Sequence, residues 1–311
     1  MSVPRSARLR YYLDHLCSMI RPRTVYQRQL EDLLKEGQDN PEVQKRANYY
    51  CGIHETFELS DDVEPFRCRP WKGQSTYQLD LQESLRYFPK NVRVEKIFGD
   101  NIQNPPRPAL VKSRPVGPAG SNGVLLKLNR IRHFRFVEDN RPFADKKNLL
   151  VWRGNASQPH RRDFMERFFD HPLCNVGHYY HRPVANMPWK RGELSIRDQL
   201  AYKFILALEG NDVATNLKWV LSSNSLCIMP PCRYETWFME GRLESGVHYV
   251  EIASDGSDLE KKMTYYLEHP DKAEAIIHNA NAWVKQFQDK HTEHVIALQV
   301  LQRYFQRSGQ L

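Results

Sequence analysis

The chain has 311 residues, of which 41% are hydrophobic and 26% are charged, so it can bury either one large α/β core or two smaller ones. This composition excludes a wholly disordered chain, and no apolar run reaches the roughly 18 to 20 residues that a membrane-spanning helix needs. The formal net charge of +8 favours anionic partners, namely nucleic acid, an acidic membrane surface or phosphorylated small molecules.

The six cysteines are scattered along the chain, form no C-x-x-C pair and follow no secretory h-region. This usage is typical of a reducing compartment, so we expect a cytoplasmic protein whose membrane contact, if any, is peripheral on the inner face of the cytoplasmic membrane. The histidine pairs in HYYH (178–181) and HTEH (291–294) lack the glutamate placement of a zinc-binding H-E-x-x-H helix. The sequence therefore predicts no metal site.

The first predicted element is a basic amphipathic helix at the N-terminus. Apolar side chains recur there at helical spacing, at Leu9, Tyr12, Leu13, Leu16, Met19 and Ile20. Arginines at positions 5, 8, 10, 21, 23 and 28 accompany them, against a single acidic residue, Asp14. Such a helix either packs on its own domain with a solvated arginine face, or contacts anionic lipid or a phosphorylated glycolipid.

Two strands are predicted further along, in VRVEKIFGD (92–100) and ALVKSRPV (109–116), with a proline-rich loop between them. Asp100 follows Gly99 at the end of the first strand and is a candidate general base. Asp139, in FVEDNRPF, is the alternative base. An isolated aspartate in a loop more commonly forms a turn or a cap, so local sequence leaves the structural role open for both.

The second half of the chain alternates predicted strands and helices. Apolar strands in KNLLVWRGN (147–155), YKFILALEG (202–210), SLCIM (225–229) and HYVEI (248–252) flank a predicted helix in DVATNLKWVLSS (212–223). This alternation is typical of βαβ units on a parallel sheet, and helical segments end the chain. We therefore predict an N-terminal lobe over 1–145 and a C-terminal lobe with terminal helices over 146–311.

Two stretches of the second half suit a phosphate. In WRGNASQPHRR (152–162), a strand ends in Arg-Gly-Asn and is followed by further arginines whose guanidinium groups match a diphosphate. In the helix predicted over 212–223, Asn211 or Asp212 is expected to cap the N-terminus, whose free N–H groups favour an anion, and Lys218 adds a point charge. The alternative for the second stretch is a surface helix with ordinary caps.

Seven short sequence blocks follow one another along the chain: LVKSRP, LLKLNRIRHF, WRGN, KFILALEGND, ATNLKWVLSSNSL, YETWF and VHYVEI. Together they resemble family 90 glycosyltransferases, which include the bacterial lipopolysaccharide A protein, fungal capsule-associated proteins and eukaryotic protein O-glucosyltransferases. The resemblance is strongest with the bacterial lipopolysaccharide core branch and covers about residues 97–252. It implies an α/β fold of the GT-B type, with two Rossmann-like lobes facing a cleft, C-terminal helices, no obligatory metal and no cofactor beyond a nucleotide-sugar co-substrate.

The resemblance also implies roles for individual residues. It assigns Asp100 as the catalytic base, with Gly99 where eukaryotic members carry proline, and leaves Asp139 as the alternative. Asn216 stands where those members carry arginine. The residues implied to bind the donor are Arg153, Gly154, Asn155, Arg161, Gly210, Thr215, Asn216, Lys218 and Glu235. Lys112 and Arg114 are implied as acceptor or phosphate contacts.

The implied reaction is transfer of a hexose, glucose or galactose, from a UDP-sugar to the core oligosaccharide of lipopolysaccharide or lipooligosaccharide, with inversion and without a metal. A chain without a secretory segment is not expected to meet secreted-protein acceptors, which favours this core over protein glucosylation. A nucleic-acid-binding protein is the competing class, because basic and aromatic residues alternate in IRHFRFV (131–137). A non-catalytic glycan-binding relative is the third.

Overall fold

The structure is a computed structural model that describes residues 3–69, 73–117, 121–179 and 188–311. It contains two compact units. The first unit comprises Val3–Arg132, Arg233–Gly241 and Phe287–Leu311, and the second unit comprises His133–Cys232 and Arg242–Gln286. The first unit is therefore assembled from three separate stretches of the chain.

The helices of the first unit come from both ends of the chain. They are α1 (Arg5–Ile20), α2 (Arg23–Asp39), α3 (Pro41–Tyr50), α4 (Ser75–Leu85) and α11 (Lys290–Arg307), while the short α5 (Arg130–His133) ends at the boundary of the units. Asn40 begins α3, since its side chain accepts hydrogen bonds from two N–H groups of the first turn and Pro41 presets the helical φ. None of the helices in the described ranges combines the length and hydrophobicity needed to cross a bilayer.

The strands of the first unit are short. β1 (Lys96–Ile97), β2 (Ala109–Val111) and β4 (Gly123–Leu125) form a parallel sheet in the order β1-β2-β4. β3 (Ser113–Pro115) pairs instead with β9 (Tyr234–Thr236) in an antiparallel ladder. This ladder brings the segment after residue 233 back to the N-terminal part of the chain.

A buried charged network connects the three stretches of the first unit. Glu293, on α11, pairs with Arg46 of α3 and Lys127, each at 2.6 Å, and accepts a hydrogen bond from the Trp237 indole at 2.7 Å. Its side chain is 5% exposed. Burying a carboxylate is costly unless cations and hydrogen-bond donors surround it. Loss of Arg46, Lys127 or Trp237 would therefore leave the buried Glu293 carboxylate with fewer partners and destabilise the unit.

The second unit is built on one parallel sheet. Its strands are β5 (Lys147–Gly154), β6 (Cys174–His178), β7 (Tyr202–Leu206), β8 (Leu226–Met229) and β10 (Val250–Glu251), in the order β10-β8-β7-β5-β6. The helices are α6 (Pro159–Phe168), α7 (Ile196–Gln199), α8 (Leu217–Leu221), α9 (Leu259–Glu268) and α10 (Pro270–Lys285). The prediction of an α/β protein with parallel sheets and C-terminal helices is confirmed.

The strand order contains one reversal point. From β5 the chain proceeds to β6 on one side and then crosses to β7 on the other side, after which β8 and β10 extend the same side. In open α/β sheets, ligands bind at the carboxyl ends of the strands where the order reverses. The β5–β7 gap is therefore the position at which this topology favours a ligand.

Two local predictions are corrected by the structure. The predicted N-terminal helix forms, but Leu9, Leu13, Leu16 and Ile20 are exposed, while Tyr11 and His15 are buried. The helix predicted over 212–223 is only the five-residue α8, and its N-cap is Asn216 rather than Asn211 or Asp212. Residues 211–213 are bends and residues 215–216 form a turn, so the expected phosphate contact of this stretch falls on a loop before a short helix and stays a prediction.

Candidate active site

The loops that follow β5 and β7 meet at the carboxyl edge of the second unit's sheet. The β5 loop is residues 155–158 and leads into α6, whose first residue is Pro159. The β7 loop is residues 207–216 and leads into α8. The Gln158 side-chain amide donates to Asn211 Oδ1, and His160 Nε2 lies 2.7 Å from the Glu209 carbonyl. Side chains of one loop thus bind the other loop directly.

Arg161 is the main connection between these two loops. From the first turn of α6 its Nε donates to the Glu209 carbonyl at 2.8 Å and its Nη2 donates to the Leu208 carbonyl at 2.6 Å. Its Nη1 donates to the Asn155 carbonyl at 2.8 Å. One planar guanidinium therefore fixes both loops, which a lysine ammonium could not do with the same geometry.

Trp152 and Gly154 support Arg161 from β5. The Arg161 guanidinium carbon lies over the Trp152 ring, 5.3 Å from its centre, within the range of a cation–π interaction. The Trp152 ring in turn covers Gly154 so closely that a β-carbon there would lie 2.5 Å from the nearest ring atom. The Trp152 ring beneath Arg161 therefore leaves no room for a side chain at position 154, which explains the glycine there. At Gly210 a β-carbon would meet Arg161 only at an ordinary 3.5 Å.

Asn155 shapes the start of the β5 loop. Its Oδ1 accepts the Ser157 N–H at 3.1 Å, which forms a turn, and its carbonyl is the one that Arg161 binds. His178, at the end of β6, supports the same loop because its Nδ1 accepts the Ala156 N–H at 3.0 Å. Burial lowers the pKa of His178, which favours the neutral ring that this hydrogen bond requires. His181 lies outside the described residues.

Arg153 points away from the β5–β7 gap, toward β6. Its guanidinium donates to the carbonyls of Trp152, Asn175 and Gly192 and to Asn175 Oδ1, at 2.7–2.9 Å. Burial, with a smaller contribution from Arg191, lowers the pKa of Arg153 to about 10. All of these acceptors are neutral. Through the two hydrogen bonds to Asn175, Arg153 connects β5 to β6.

The predicted donor residues of the β7 loop have different surroundings. Asn216 Nδ2 donates to the Leu206 carbonyl at 2.8 Å, so this side chain completes the end of β7. Thr215 beside it is partly exposed. Lys218 is fully buried, and its Nζ lies 5.9 Å from the centre of the Phe134 ring. Of these three residues, Thr215 and Asn216 are the ones that reach the surface at this edge.

The candidate bases differ in exposure. Asp100 is held by a 2.5 Å ion pair with Lys112, whose side chain is buried, and its own side chain is 24% exposed. The Asp139 side chain is 4% exposed and binds Lys146 at 2.6 Å and the Asn224 N–H at 2.9 Å. Asp139 therefore fixes a loop, while the Asp100 carboxylate is the more exposed of the two.

Arg114 and Glu235 pair with each other in the first unit. Arg114 Nε donates to Glu235 Oε1 at 2.7 Å across the β3–β9 ladder, and Tyr49 Oη donates to Glu235 Oε2. The other Arg114 nitrogens donate to the carbonyls of Tyr49, Tyr50 and Gly123. Both side chains are buried, so the structure places this pair within the support of β3.

One group of metal-ligand side chains is found in the described ranges, formed by His15, Asp80 and Glu83. The Arg130 guanidinium already lies among them, 2.5 Å from Glu83 and 3.3 Å from Asp80. Burial lowers the pKa of Arg130, and the two carboxylates raise it by more, so the net shift is upward. The guanidinium supplies the positive charge that these carboxylates need.

Comparison of the sequence with known proteins identifies the family of this chain. Residues 128–307 match the profile of glycosyl transferase family 90. The chain is 47% identical over 263 residues to the O-glucosyltransferase LpsA of Dichelobacter nodosus, covering 85% of this chain and 82% of that protein. The chain belongs to glycosyltransferase family 90. A second relative, protein O-glucosyltransferase 2 of Danio rerio, is 27% identical over 142 residues, which are 43% of this chain and 28% of that protein.

The predicted family 90 membership is thereby confirmed, and the protein is a glycosyltransferase. Sequence reasoning missed three supports of the site: Trp152 beneath Arg161, Asn175 beside Arg153, and His178 beneath the β5 loop. The role of Trp152 could have been predicted, because residues two apart in a strand lie on the same face. The tryptophan therefore lies beside the strand-terminal Gly154. Asn175 and His178 carried no such signal, because their side chains come near Arg153 and Ala156 only when β6 pairs with β5.

We predict that Gly154→Ala disrupts this family 90 site. The added methyl group would clash with the Trp152 ring, so the ring and Arg161 above it must move, at a cost of about 1–3 kcal/mol in unfolding free energy. Gly192→Ala is the matched control, because a β-carbon there meets nothing within 4 Å. Thermal unfolding and glycosyl transfer should both fall for Gly154→Ala alone. Equal behaviour of the two variants would show that Trp152 does not require a glycine.

Proposed function

We propose that this glycosyltransferase transfers a glucosyl group from UDP-glucose to the core oligosaccharide of lipopolysaccharide or lipooligosaccharide, with inversion and without a metal. The sugar is supported by the 47% identical relative, which is an O-glucosyltransferase. The acceptor is supported by the resemblance of the ATNLKWVLSSNSL run to the bacterial lipopolysaccharide branch and by the net charge of +8, which suits an anionic core.

The observation that carries the donor assignment is the connection of the β5 and β7 loops by Arg161 at the reversal point of the sheet. We assign the diphosphate of the nucleotide sugar to this edge. The start of α6 lies there and contributes the positive end of a ten-residue helix. Asn155, Gly210, Thr215 and Asn216 line the same two loops. Arg153, Lys218 and Glu235 remain predicted donor-binding residues. In the structure Arg153 binds acceptors along β5 and β6, Lys218 lies by Phe134, and Glu235 pairs with Arg114.

The proposed chemical step uses Asp100 as the general base. An acceptor hydroxyl gives its proton to the Asp100 carboxylate while its oxygen forms a bond to the anomeric carbon of the donor sugar. The bond from that carbon to the diphosphate oxygen breaks, and UDP leaves with the electron pair. Lys112 positions the carboxylate through its 2.5 Å contact. Arg161 and the start of α6 stabilise the negative charge that develops on the leaving diphosphate.

The direct test of this function is a donor and acceptor panel. We expect UDP-glucose to raise the melting temperature of the protein more than UDP-galactose or ADP-glucose. We expect transfer of the labelled glucose onto core oligosaccharides, with chelator causing no loss. Transfer to a peptide acceptor but to no core fragment would refute the acceptor, while stabilisation by another nucleotide sugar alone would refute the donor.

We predict that Asp100→Asn lowers the transfer rate by roughly 10²- to 10⁴-fold, the usual contribution of a general base, and leaves donor affinity nearly unchanged. Asparagine keeps an oxygen for Lys112, so folding should persist. Asp61→Asn, at an exposed position of the same unit, is the control. Rates and donor dissociation constants measured together distinguish the cases. Unchanged turnover in Asp100→Asn would exclude Asp100 as the base.

A further inference from the structure

The N-terminal helix α1 carries an exposed apolar stripe. Leu9, Leu13, Leu16 and Ile20 are 62%, 48%, 57% and 77% exposed. They follow one another at intervals of four, three and four residues, which places them in one line along a helix. An amphipathic helix of a globular protein normally buries such a line against its own core. In α1 the line faces outward.

The opposite face of α1 is fixed to the first unit by polar contacts. Tyr11 Oη donates to Asp80 Oδ1 at 2.7 Å and to the Thr76 carbonyl at 3.1 Å. The Ser18 carbonyl accepts hydrogen bonds from Arg86 Nη1 at 2.6 Å and from Tyr26 Oη at 2.9 Å. These anchors hold α1 in one orientation, so the leucine stripe cannot turn inward without breaking them.

Positive charge borders the stripe. At about 100° of rotation per residue, Arg5 lies on one side of the leucine line and Arg10 lies on the other. Both are exposed, as are Arg8 and Arg21. Asp14 is the one acidic residue of α1, and it lies away from the line. The surface thus combines an apolar strip with a cationic border, which is complementary to anionic headgroups above an apolar layer.

We propose that α1 docks this protein onto an anionic lipid bilayer, with the leucine stripe at the boundary of headgroups and acyl chains and the arginines on lipid phosphates. The inference stands on the geometry and charge of α1 alone and does not depend on the sugar acceptor. A second copy of the chain fits this surface less well, because arginines on both sides of the stripe would face arginines of the partner. Each arginine near an anionic surface strengthens the binding.

The test is sedimentation of the full chain with vesicles of phosphatidylcholine, with or without phosphatidylglycerol. We expect binding to the anionic vesicles that weakens as salt is added. Leu13→Gln combined with Leu16→Gln should reduce the bound fraction roughly ten-fold, since two apolar anchors are lost while helix propensity is largely kept. Val247→Gln combined with Leu311→Gln, at positions 36% and 53% exposed, is the matched control and should bind as the wild type does.

Two results would overturn the proposal. One is equal vesicle binding by the stripe variant and the control. The other is self-association of the wild type that the stripe variant loses, without vesicle binding by either, which would assign the stripe to a second copy. Transfer onto a water-soluble core fragment should be the same in all variants. Because the vesicle assay contains no sugar, its outcome is separate from that of the proposed transferase reaction.

Discussion

The candidate site depends on one guanidinium group that binds two loops at once. Arg161 donates to carbonyl oxygens of Asn155, Leu208 and Glu209, and its guanidinium carbon lies over the Trp152 ring. The two loops follow β5 and β7, the strands between which the order of the sheet reverses. Without Arg161 these carbonyls would lose a charged donor, and only the contacts of Gln158 with Asn211 and of His160 with Glu209 would still join this region to the β7 loop. Arg161 is therefore the side chain that makes the most contacts between the two loops.

The first unit uses buried charge in a related way. Glu293 connects Arg46, Lys127 and Trp237, and the Arg114–Glu235 pair connects β3 with β9. Both carboxylates come from the two later stretches of the first unit, Glu235 from Arg233–Gly241 and Glu293 from Phe287–Leu311. Buried ion pairs contribute little net stability, but removing one partner is costly, so such pairs specify which segments associate. The Lys112–Asp100 pair beside β3 places the candidate base on this support.

Much of the second unit could be predicted from the sequence. The strands at Leu150–Trp152 and Phe204–Leu206 are continuous apolar runs, which is the pattern of parallel strands buried on both faces. The family blocks also identified Gly154 and Arg161, which lie at the end of β5 and in the first turn of the helix that follows it, α6. Periodicity could not predict which face of α1 is buried, because Tyr11 and His15 bind polar partners on α4, far away in the sequence. It could not predict the partner of Glu235 either, since the register of β3 and β9 joins residues 121 positions apart.

The central claim is that the loops joined by Arg161 bind the diphosphate of the donor, and calorimetric titration of UDP-glucose into paired variants tests it. Arg161→Lys keeps the charge but loses the fork that holds both loops, so we expect the dissociation constant to rise roughly ten-fold or more. Arg162→Lys changes the adjacent, exposed arginine and should bind the donor as the wild type does. Wild-type affinity in Arg161→Lys, or an equal loss in both variants, would contradict the account.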